Sequence, residues 1–170
     1  MHTHSEVTFH RQLSPFGLLN APQAQLSPGP NAKPGSRPRV AVLHHGDIHI
    51  HIHNHTALRN QLQDRGYHFG TDNDGELIAH LIDAVHPGDA LQAVRRAAAL
   101  LQGLVAFAVQ FHDQTHRLLA TRMGPPVALR LHPERVELLV PAFLASNSLG
   151  KPTGLYLLTE GDILDIDTNL

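Results

Sequence analysis

The run IHIHIH at residues 48–53 sets His49, His51 and His53 at alternate positions, with Ile48, Ile50 and Ile52 between them. In an extended chain that alternation sends the imidazoles to one face and the isoleucines to the other. Same-face neighbours lie about 6.5–7 Å apart along a strand, so a pair such as His49 and His51 can reach a common ion. His44, His45 and His55 stand near enough in sequence to complete a shell, with Asp47 as an oxygen donor or an outer acceptor. Imidazole nitrogens suit Zn, Ni or Cu, and the spacing does not choose among them. The competing expectations are a solvent-facing strand of an amphipathic hairpin and a histidine-lined interface between two copies of the chain. No motif requires any other cofactor, because the sequence has no P-loop, no dinucleotide fingerprint and no G-x-S-x-G elbow.

A second chemical candidate is Asp74, which heads the apolar stripe of DGELIAHLI. A carboxylate there is either a helix cap or a partner for a cationic group such as an α-ammonium. None of the 170 residues is a cysteine, so this sequence holds no disulfide, no thiolate metal site and no thiol nucleophile.

The elements that must position these groups follow from periodicity. Short β-rich patterning predicts a strand over 39–44, and Leu58 with Leu62 predicts a helix over 55–65, capped by Asn54 and closed by Gly66. A brief strand is expected at 67–69. Helices are expected over 75–86 and 89–102, each opened by an aspartate. Beyond Gly103 the period falls to two, with strands expected over 104–111, 117–122, 126–131, 135–146, 154–158 and 162–166. Helices followed by a meander of strands indicate an α+β layered domain over 39–170. Residues 1–38 carry prolines every few positions and read as a loosely ordered segment.

Composition narrows the partners. With 13 Lys and Arg against 15 Asp and Glu, and 5% aromatic residues, the chain lacks the basic face and stacking platforms of a nucleic-acid binder. No apolar run approaches the roughly 18 residues of a membrane span, and Met1 to Arg11 lacks the apolar core of a signal peptide, so a cytoplasmic protein is expected. The 15 histidines would carry the formal charge from −2 to +13 on full protonation.

The ordered motifs HHGDI, NHTALRNQLQDRGYHF, TDNDGELIAHLI, LLQGLVAFAV, LLATRMGPPVAL, FLASN and LLTEGDI resemble the glutaminase domain of class II, N-terminal-nucleophile glutamine amidotransferases. Within that family the sequence is similar to the glutaminase domain of glucosamine-6-phosphate synthases. The resemblance implies an Ntn-hydrolase-like four-layer αββα sandwich. It also implies glutamine or a related amino acid as ligand. By resemblance, Asp74 binds the substrate amine, Gly46 offers a backbone N–H to an oxyanion, and His45 stands where the family has asparagine. Arg11 matches a carboxylate-binding arginine or is a solvated loop residue. The family nucleophile is an N-terminal cysteine several dozen residues before the position of Arg11, where this sequence has ten residues. The resemblance thus implies a domain incomplete at its N-terminus, catalytically inactive alone, serving as an amino-acid-binding, subunit or regulatory module. Unpaired sheet edges would then call for a homo-oligomer or a partner subunit. The alternatives are a histidine-rich metal-binding module on the same scaffold, and a glutaminase completed by a partner that supplies the missing part.

Overall fold

The computed structural model describes residues 7–8, 24–45, 52–133, 136–139 and 154–169. Arg11, Gly46, His49 and His51 lie outside those residues, as do most of the run 48–53 and the far end of the strand expected over 135–146. In chain order the elements are β1 (Val7–Thr8), β2 (Gln25–Ser27), β3 (Val40–His44), α1 (His55–Asp64), α2 (Asp74–Ala84) and α3 (Ala90–Leu100). Then follow β4 (Val105–Phe111), β5 (Gln114–Met123), β6 (Ala128–Leu131), β7 (Val136–Leu139), β8 (Gly154–Leu157) and β9 (Ile163–Asp167). The strands form a five-stranded sheet, β2-β3-β4-β5-β9, and a four-stranded sheet, β1-β7-β6-β8, with every pairing antiparallel.

The period of two sorts the core into two compartments. On β3, Val40 and Val42 face the helices while Ala41 and Leu43 face the other sheet. On β4, the bulky Val105, Phe107, Val109 and Phe111 meet the helices, and the small Ala106 and Ala108 meet the second sheet. All seven β4 residues are buried, as expected of a central strand covered on both faces. Leu58, Leu62, Leu77, Ile78, Leu81, Ile82 and Val94 supply the helical side. Leu129, Leu131, Val136 and Leu138 supply the facing sheet. Helices, five-stranded sheet and four-stranded sheet are thus consecutive layers of an α+β sandwich.

Local departures from the expected elements have physical causes. Tyr67 and Phe69 form no strand. The Tyr67 hydroxyl donates to Asp83 Oδ2 at 2.6 Å, and Phe69 lies beneath the Arg59 guanidinium at 4.3 Å, so side-chain contacts outweigh β propensity. β2 comes from the Pro/Gly-rich segment, as a three-residue edge strand with Pro28 directly after it, a placement proline permits. Its Ser27 is fully buried against α2. His80 Nε2–H donates to the His68 carbonyl at 3.0 Å, which leaves Nδ1 to accept the Ser27 hydroxyl at 2.9 Å. Burial pushes the His80 imidazole below its ordinary value, in keeping with this neutral tautomer. Gly66 closes α1 with φ of +90°, and the Asn31 N–H bonds its carbonyl.

Candidate amino-acid site

The C-terminal end of β3 delivers His44 and His45 to the N-terminus of α2. Gly75 makes that approach possible. A Cβ there would stand 2.8 Å from Gln25 Cγ and 3.3 Å from His44 Cβ, closer than side chains pack. The His45 backbone N–H is taken by the Ala106 carbonyl at 2.9 Å, and His45 itself is buried. His44 lies beside Asp74 with its Nε2 buried and without a hydrogen-bond partner among the described residues. Burial lowers the His44 pKa to about 4, against the opposing pull of Asp74 and with the help of His45.

Asp74 is the first residue of α2, and Asn73 is the cap. The Asn73 carboxamide oxygen accepts the Gly75 N–H at 2.6 Å, so the Asp74 carboxylate is released from capping its own helix. It turns instead toward the start of α1. Its Oδ2 accepts the Ile52 N–H at 3.3 Å, and its Oδ1 is hydrogen-bonded to His55 Nδ1. An ionised carboxylate only accepts, so His55 Nδ1 carries the proton. Two helix N-termini therefore meet at one carboxylate, where both macrodipoles favour negative charge. The Asp74 side chain remains 17% exposed.

Surrounding bonds hold this junction. Asn54 stands at the cap position of α1 but does not cap it. Its carboxamide donates to the Leu100 carbonyl at 2.9 Å and accepts the Gln102 N–H at 3.0 Å, tying the start of α1 to the end of α3. Ile52 is buried and bridges Gly103, while the His53 N–H donates to the Gln102 carbonyl at 2.6 Å. On the other side, Glu76 accepts the Gly70 and Thr71 N–H groups, each at 2.8 Å, and the Thr71 hydroxyl at 2.6 Å. Glu76 thereby fixes the loop that enters Asn73 and Asp74.

Of the residues singled out from sequence, the structure brings His44 and His55 to Asp74, with His45 buried next to His44 at the end of β3. It places His53 in an exposed turn beyond the buried Ile52. Among the described residues no cluster of three or more histidines and carboxylates is arranged to hold a metal ion. His55, Asn73 and Glu76 matter to the site but were not singled out for it. The spacing of Asn73 to Glu76 is a capping-box signal that marks Asn73 as the cap and frees Asp74. His55 was read from sequence as a possible metal ligand, and nothing local signals its pairing with Asp74, 19 residues away.

A second buried polar cluster lies on the four-stranded sheet. Arg130 and Glu137 are cross-strand partners, with Arg130 donating to Glu137 Oε2 at 3.3 Å and His132 Nε2 reaching the same oxygen at 3.2 Å. The Glu137 and His132 side chains are 1% and 2% exposed.

Residues 32–124 match the family model described as a glutamine amidotransferase domain. A glutamine–fructose-6-phosphate aminotransferase (isomerizing) from Bordetella pertussis is 36% identical over 139 residues, covering 80% of this chain and 21% of that protein. Its counterpart from Bartonella quintana is 40% identical over 101 residues, covering 58% of this chain and 16% of that protein. The chain thus spans about a fifth of the length of these relatives. Among solved structures, one titled as the allosteric regulatory enzyme of purine biosynthesis superposes with a TM-score of 0.58 at 19% identity. That alignment covers 91% of this chain and 30% of the other. The glutamine phosphoribosylpyrophosphate amidotransferase from B. subtilis superposes with a TM-score of 0.54 at 20% identity, over 75% and 27% of the two chains. These superpositions identify the layered α+β architecture as Ntn-hydrolase-like. By the family match the chain belongs to the glutamine amidotransferase domain family.

Proposed function

We propose that this domain binds an α-amino acid, glutamine or a close relative, through its α-ammonium group at Asp74. It acts as an amino-acid-binding module and does not hydrolyse the amide with its own residues. The observation that carries the reading is the Asp74 carboxylate, held by Ile52 and His55 at the junction of two helix N-termini and still partly open to solvent. A carboxylate offers about four lone-pair positions, and two remain for ammonium donors after the bonds among the described residues are counted. Family membership supports glutamine as ligand. The lack of any cysteine in the 170 residues supports binding without thiol chemistry. In a larger assembly such a domain would serve as a subunit or regulatory part.

Calorimetric titration of the 170-residue chain with L-glutamine tests this, together with an ammonia-release assay. The expected result is saturable one-to-one binding, lost in Asp74→Asn, with no ammonia released. Equal binding by Asp74→Asn would refute the assignment of Asp74. Ammonia release that disappears in Asp74→Ala would refute the non-hydrolytic reading.

A further inference from the structure

We infer that His55 is a positioning residue for ligand binding: it fixes the plane of the Asp74 carboxylate so that the two free lone pairs face the incoming ammonium. This rests on the reading of Asp74 as the amine-binding residue. The terminal torsion of an aspartate is broad and roughly two-fold, so rotamer preference alone does not set the plane of the carboxylate. External donors must set it. Asp74 has two of them among the described residues, and the Ile52 N–H at 3.3 Å is near the long limit for a hydrogen bond. The His55 contact is a charge-assisted side-chain hydrogen bond to the other carboxylate oxygen.

His55 is well placed for that task. It is the first residue of α1, so its backbone is held by a helix whose inner face is anchored through the buried Leu58 and Leu62. Asn54, the residue before it, is tied to Leu100 and Gln102. The imidazole is 19% exposed and the carboxylate 17%, so the pair sits at the rim, where a ligand can reach the far side of the carboxylate. The two residues are 19 positions apart and on different helices, so the contact is tertiary and not a local cap.

The test uses the full chain and two ligands. L-Glutamine carries the α-ammonium; glutaramate is the same molecule without its α-amino group. The expected result is that His55→Leu weakens glutamine binding about tenfold, the scale of a hydrogen bond to a charged group, and leaves glutaramate binding within about twofold. His55→Asn, which carries an N–H donor at about the distance of Nδ1 from Cβ, should recover most of the glutamine affinity. Equal weakening of both ligands by His55→Leu would mean general damage to the fold and would overturn the inference. So would unchanged binding of both. A wild-type chain that binds the two ligands equally, or binds neither, would refute the underlying reading of Asp74 and the inference with it. A ligand-free readout separates the two claims. The Nδ1 proton of His55 should give a downfield NMR resonance that disappears in Asp74→Asn. Its absence from the wild type would overturn the positioning role even where glutamine binds at Asp74.

Discussion

Among the carboxylates that meet a histidine, Asp74 and Glu137 have opposite surroundings. Glu137 is closed in on the four-stranded sheet, with Arg130 and His132 converging on one of its oxygens and almost no exposed surface. Asp74 sits where two helices begin, satisfied by one backbone N–H and one imidazole, with part of its surface open. The first arrangement pairs its carboxylate with a buried guanidinium and leaves almost no surface for a ligand. The second keeps acceptor capacity in reserve beside favourable helix dipoles. Acid–histidine proximity alone therefore does not mark a site; the unspent acceptor capacity does.

The contrast is sharpest in stability. Glu137→Ala removes the carboxylate on which Arg130 and His132 converge and takes a charged partner from the buried Arg130 guanidinium. It should cost about 3–5 kcal/mol in urea-unfolding experiments. If the same variant folds with unchanged stability, the closed cluster is not the structural element described here.

Acid is the next lever. His44 is held down to about 4 in the folded chain, against an ordinary value of 6.5. Between those values the unfolded chain takes up a proton that the folded chain refuses, so folding stability falls as pH is lowered from about 6.5 to about 4. The loss amounts to up to about 3 kcal/mol. The lowered His80 acts in the same direction. Urea midpoints measured across that range should show the slope, and His44→Leu should flatten it. An unchanged slope in that variant would assign the acid sensitivity elsewhere.

Smaller effects probe the packing that presents Asp74. Gly75→Ala brings a Cβ against Gln25, Asn73 and His44 and should cost about 1–3 kcal/mol, with a matching loss of ligand affinity as α2 moves away from β3. Asn73→Ala removes a helix cap worth about 1 kcal/mol and leaves the Asp74 carboxylate in place. Thermal unfolding of both variants ranks them. A ligand affinity untouched by Gly75→Ala would show that the close approach of β3 to α2 does not shape the site.

Much of the scaffold was legible from periodicity because it depends on near neighbours. The two-faced patterning of Val40 to Leu43, the apolar stripe of α2, the Asp89 cap of α3 and the Gly66 closure all appear in the structure. What escaped depends on partners far away in sequence. Asn54 looks like a cap, yet its carboxamide is spent on backbone groups more than 45 residues distant. Tyr67 and Phe69 look like strand residues, yet Asp83 and Arg59 hold them otherwise. The candidate site divides in the same way. Asp74 was visible by its place before an apolar stripe and by resemblance, whereas His55, read from sequence as a possible metal ligand, showed its pairing with Asp74 only when the starts of α1 and α2 were seen together.

The central claim is that the open carboxylate, and not the closed one, takes a ligand. The most direct test is the thermal midpoint of the full chain against glutamine concentration, for wild type and Asp74→Asn in parallel. A ligand that binds only the folded state raises stability by RT ln(1 + [L]/Kd), so the wild-type midpoint should climb steadily above Kd while the Asp74→Asn midpoint stays flat. Midpoints that rise together in both proteins, or in neither, would contradict the account.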